Sequence, residues 1–148
     1  MRVYVPLTLP GLAEAYKTGE LGEGAFVAYA VTPALREWYL SDDIEELEYA
    51  ALNRAALASL RLVAVEPGAV RRRVVVALDV ADGDAVADPD RGLDPVALGE
   101  VRVAGPVSLG KAAAVHVDSV EAEGEVGEAA ALPNDTCPAT RLSLINIS

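Results

Sequence analysis

Reactive side chains are scarce in this chain. Its 148 residues include one cysteine, one histidine, one tryptophan and two lysines. A lone thiol excludes an internal disulfide framework and a multi-thiolate zinc site. A lone imidazole leaves little material for acid–base or metal chemistry, so no catalytic set, metal or cofactor is expected. Long hydrophobic runs are also missing. The longest, residues 25–31, spans seven residues, against the ~20 a membrane-crossing helix needs. No secretory leader is expected either, because Arg2 is followed by Val3-Tyr4-Val5 and then Pro6. Positive charge is in short supply: 12 Lys+Arg stand against 23 Asp+Glu, a net charge of −11. Nucleic acid and anionic membranes are therefore disfavoured as partners, since both need clustered positive charge to displace counterions. Cytoplasm is the expected location, and the unpaired Cys137 suits a reducing compartment.

What is present is an ordinary globular composition, 52% hydrophobic and 24% charged, which excludes global disorder. The charge is uneven, with residues 81–130 holding 11 acids and 3 bases. Val3, Val5, Leu7 and Leu9 alternate with Tyr4, Pro6 and Thr8, the period of a half-buried strand, and Pro6 points to a sheet edge or a strand end. Leu9, Leu12 and Tyr16 fall at helical spacing, with Pro10 in the first turn and Gly19 at the stop. Residues 25–31 read as a strand buried on both faces. Thr32-Pro33 opens a short helix to Tyr39. A longer one follows, capped at Ser41 or Asp42, with Ile44, Leu47, Ala51, Ala55, Ala58 and Leu62 as its apolar stripe. Val74 to Leu78, Val101 to Val107 and Ala112 to Val117 read as strands, residues 81–99 as an acidic surface loop, and residues 119–131 as a weak helix.

The predicted fold is an α/β (α+β) two-layer sandwich, with a mixed sheet of about five strands and helices mainly on one face. Residues 1–131 form one domain, and residues 132–148 form an irregular tail.

Several motifs imitate chemistry. Gly105 to Lys111 has the G-x-x-x-x-G-K spacing of a phosphate loop, but Ala112 replaces the metal-binding Ser/Thr and a strand follows where a helix should open. Asp82, Asp84, Asp88 and Asp90 lack the glycine and the closing glutamate of a calcium loop. Arg71-Arg72-Arg73 alternate faces on a strand, so pairing with the chain's own acids is the simpler account. Two clusters remain. Arg36, Trp38 and Tyr39 combine a guanidinium with aromatics, the usual chemistry of a binding anchor; the weightier alternative makes Trp38 a core plug between Leu35 and Leu40. Lys111, His116 and Asp118 could serve a small-molecule sensor or enzyme, although side chains two apart on a strand seldom converge on one reacting atom.

The segments Ala28 to Tyr39, Glu45 to Ala51, Arg71 to Val80, Val101 to Val107 and Val115 to Asp118 resemble a family of short, acidic, uncharacterised actinobacterial proteins over about the first 120 residues. The resemblance implies source and a cytoplasmic location, and no site. Residues 132–148 depart from the closing helix of that family. The expected function is a non-enzymatic interaction or regulatory module, its partner another protein or a second copy of itself.

Overall fold

The computed structural model describes residues 1–22, 24–40, 42–65, 72–87, 98–118 and 145–147. Strand β1 (Arg2–Leu7) leads into helix α1 (Leu9–Thr18), then β2 (Glu20–Leu21) and β3 (Phe26–Tyr29). Helices α2 (Pro33–Tyr39) and α3 (Ile44–Val65) come next, then β4 (Val74–Asp79), β5 (Ala85–Val86), β6 (Glu100–Val103), β7 (Val107–Ser108), β8 (Ala112–Val117) and β9 (Ile145–Ile147). The main sheet has the order β5-β6-β3-β1-β4-β8-β9, and β2 with β7 forms a separate ribbon.

The α/β class is the expected one. Within it, the sheet is antiparallel at every pairing rather than mixed. The reason is topological. β3 and β4, joined through the helices, run parallel to each other, but β1 slots between them in the opposite sense. Seven strands stand where about five are expected, because β5 falls inside the segment read as a loop and β9 inside the segment read as a tail. Residues 88–97 of that loop, the weak helix at 119–131 and Cys137 lie outside the described residues.

The strands are two-faced, and each face has its own cover. Val3, Val5, Val74, Val76, Leu78, Val101, Val103, Val115 and Val117 bury one face against Leu12 and Ala15 of α1 and Leu21 and Val107 of the ribbon. Tyr4, Tyr29, Val75 and Ala77 bury the other against Leu35 of α2 and Leu47, Ala51 and Ala55 of α3. Helices thus lie on both faces, the larger pair on one. Small side chains along α3 let its axis approach the sheet closely, and the larger Tyr4 fills the groove beside it. The Tyr4 hydroxyl donates to Glu48 Oε2 at 3.2 Å. Burial, reinforced by the Glu48 charge, pushes its pKa up to about 12.

Local signals set the helix ends. Thr8 caps α1 by accepting from Gly11 N, and Gly19 stops it at φ 77°. Thr32 accepts from Leu35 N ahead of Pro33, as expected for the start of α2. Asp43 Oδ1 accepts hydrogen bonds from Glu45 N and Glu46 N at the start of α3, one residue after the expected Asp42, and the alternative cap Ser41 lies outside the described residues. Two deeper polar contacts close the sheet. Ser59 of α3 donates to the Leu7 carbonyl at 2.6 Å and accepts from Val74 N at 2.9 Å. Beyond the ends of β4 and β8, Arg73 and Asp118 form an ion pair with side-chain exposures of 1% and 0%.

Candidate functional site

Strand β8 positions the first candidate cluster and also separates it. Lys111 is exposed in the 3₁₀ turn Leu109–Lys111 ahead of the strand, whereas Asp118 follows its other end. A six-residue strand places roughly 20 Å between them. The Asp118 carboxylate is already engaged: Oδ2 accepts from Arg73 Nε at 2.7 Å and Arg73 N at 2.9 Å, and Oδ1 accepts from Arg73 Nη2 at 2.8 Å. Arg72 Nε donates to the Asp118 carbonyl at 3.0 Å. Two of the three arginines singled out in the sequence therefore pair within the chain, and Arg71 lies outside the described residues.

His116 pairs in register with Val75, so it occupies the α3 face of the sheet, half-buried. That burial holds its pKa below the ordinary 6.5. As the pH falls, the unfolded chain takes up the proton first, so the stability this group contributes is complete above 6.5 and declines as the pH drops toward the folded value. An NMR titration of the single histidine is expected to show a midpoint below 6.5. His116→Gln should flatten this part of the stability profile. A midpoint at or above the ordinary value would contradict the burial.

Cavities near these residues carry little chemistry. One of about 420 Å³ is lined by Tyr16, Leu109, Gly110 and residues 112–115, with no carboxylate, imidazole or amine from the described residues in its wall. Another of about 410 Å³ holds Glu14 and Glu20 beside Leu7, Leu21 and Pro106. The Thr18 hydroxyl in its wall donates to backbone carbonyls, among them those of Glu14 and Glu20. Among the described residues no three His, Cys, Asp or Glu side chains come together to hold a metal ion. The segment with phosphate-loop spacing forms β7 and a 3₁₀ turn, in which Ser108 Oγ accepts from Gly110 N, and it runs on into β8.

The second cluster is brought together at the junction of α2 and α3, and its exposure corrects the core-plug reading. Within α2, Leu35 is the buried side chain. Trp38 is 57% exposed, Tyr39 40%, Leu40 89% and Ile44 47%. Trp38 and Tyr39 lie three and four residues after Leu35, on the side of the helix that faces the body. Both nevertheless remain exposed. Leu40 closes α2 in the left-handed region at φ 50°, its N–H donating to the carbonyls of Arg36 and Glu37. Glycine is the usual occupant of such a position. Arg36 is exposed on the same short helix.

Fold and surface together define an antiparallel α/β protein whose most distinctive external feature is an aromatic–aliphatic corner, with no assembled catalytic group among the described residues. The chain belongs to a family of unknown function (DUF6912), whose model matches residues 1–139. Membership thus extends past the first 120 residues and into the segment read as an atypical tail. No curated protein and no solved structure matches the chain. Among the described residues no helix is long and apolar enough to cross a membrane.

Proposed function

We propose that the protein is a non-enzymatic, cytoplasmic interaction module that recognises a protein partner through Arg36, Trp38, Tyr39 and Leu40. The actinobacterial source implied by the resemblance belongs to the same reading. One observation carries it. Leu40 combines a left-handed backbone with 89% exposure, so it carries a steric cost of roughly 1 kcal/mol with almost no burial to offset it. A glycine would serve the fold better. Leu40 is not a lone exposed side chain: Trp38, Tyr39 and Ile44 beside it are exposed too, and a run of exposed large apolar groups is the usual mark of a contact made outside the chain. Trp38 and Tyr39 beside it are the residue types that dominate binding energy at interfaces.

The test uses Leu40→Gly and Trp38→Ala. Leu40→Gly is expected to fold as stably as the wild type, or roughly 1 kcal/mol more so, and to lose binding. Affinity capture on the immobilised wild type should recover a partner that both variants miss. Because Trp38 is the sole tryptophan, its emission should shift to the blue when the purified partner is added. Equal recovery on all three proteins, or empty eluates from all three, would overturn the proposal.

A further inference from the structure

We infer that the occupant of the α2–α3 corner is a basic segment of another protein, inserting an apolar side chain beside Trp38 and flanking it with Lys or Arg. This deepens the interaction reading above and rests on it. The apolar floor is Trp38, Tyr39, Leu40 and Ile44, and the charged residues beside them along the chain are mostly acidic. Between Arg36 and Glu46 the chain carries five acids and one base. Asp43 serves the fold as the acceptor at the start of α3. Glu37, Asp42 and Glu45 are exposed, and they project negative potential around the apolar floor.

That combination selects among occupants. A second copy docking about a two-fold axis would set the same acidic rim against itself, and the net charge of −11 adds repulsion at longer range. Anionic lipid and nucleic acid meet the same barrier. A cationic protein segment is attracted by the rim before contact. Its Lys or Arg side chains can also settle on the ring faces of Trp38 and Tyr39. The apolar floor supplies the burial that charge alone does not provide, since rim charges mainly set on-rate and specificity.

The experiment is selection of a random dodecapeptide display library on the full-length protein, with counter-selection on Trp38→Ala. The expected result is an enriched sequence class with an aromatic, Leu or Ile anchor flanked by Lys or Arg. Its synthetic members should shift the Trp38 emission and weaken as salt is raised. The triple variant Glu37→Lys/Asp42→Lys/Glu45→Lys, melting with the wild type, should bind them at least about tenfold more weakly. Trp38-dependent peptides that are neutral or acidic would overturn the basic occupant and leave the binding surface standing. Failure to find any Trp38-dependent class would overturn both. In parallel, a dimer in sedimentation that Trp38→Ala dissolves, or a blue shift on neutral phosphatidylcholine vesicles, would replace the proposed occupant with a second copy or a lipid surface.

Discussion

Asp118→Ala is expected to destabilise the protein by roughly 3–5 kcal/mol in urea unfolding, because it removes the bidentate carboxylate partner of a buried guanidinium. The Arg73 side chain is 1% exposed, so water does not reach it. In the native chain two guanidinium nitrogens and the Arg73 backbone N–H all end on one carboxylate, a bidentate arrangement that compensates the desolvation of both charges. The pair as a whole is a different matter. Replacing both partners by apolar residues of similar volume is often neutral or stabilising, so Arg73→Met/Asp118→Leu should recover most of the loss. A cost for Asp118→Ala below about 1 kcal/mol, the range of a surface bridge, would show that the junction of β4 and β8 is wet.

This ion pair also marks the limit of what the sequence discloses. Arg73 and Asp118 are 45 positions apart, and hydrophobic period says nothing about which strand ends meet. From sequence, Asp118 joins His116 and Lys111 as a candidate ligand because the three are close along the chain. In the fold its partner comes from the neighbouring strand. The arginine run was legible in one respect, since an acid within the chain does take up Arg73, while Arg72 Nε donates to the main-chain carbonyl of the same residue.

Element identities were more legible because their signals are local. Pro10 and Gly19 frame α1, whose cap Thr8 reads from sequence as part of the strand, and Thr32 with Pro33 opens α2. The facing of α3 was only half legible. Leu47, Ala51 and Ala55 of the expected stripe are buried, whereas Ile44 and Leu62 lie in water. Ala50, Ala56, Leu60 and Val63 complete the buried surface instead. A helix this rich in alanine is apolar on nearly every side, so periodicity alone cannot orient it.

The same blindness affects Trp38. Flanking Leu35 and Leu40 favour the core reading of Trp38 over the binding one, and it is the exposure of Trp38, 57%, that overturns it. Pro6 illustrates the converse. It suited an edge or a strand end, and it occupies the end of β1, a strand in the middle of the sheet.

A buried polar contact ties α3 to the sheet, and this sets the second large expectation: Ser59→Ala should cost roughly 2–3 kcal/mol. Ser59 is fully buried among apolar neighbours, an unfavourable place for a hydroxyl unless both of its capacities are used. Both are used. It donates to the Leu7 carbonyl and accepts from Val74 N, bridging the two strands where Leu7 and Val74 stand opposite each other. Alanine retains nearly all the packing but leaves a buried carbonyl and a buried N–H without this partner, each a desolvation penalty of about 1–3 kcal/mol. The loss should be read against Leu62→Ala on the same helix, whose side chain is exposed and whose removal should change stability by no more than about 0.5 kcal/mol. Ser59→Thr keeps the hydroxyl and should recover part of the difference where its methyl can be accommodated. Because Ser59 anchors the far half of α3 while Ile44 opens the near half, the loss should appear as global unfolding. The emission of the folded Ser59→Ala protein should match the wild type, since the Trp38 corner is built at the other end. A Ser59→Ala variant as stable as the wild type would mean that packing alone fixes the helix on the sheet.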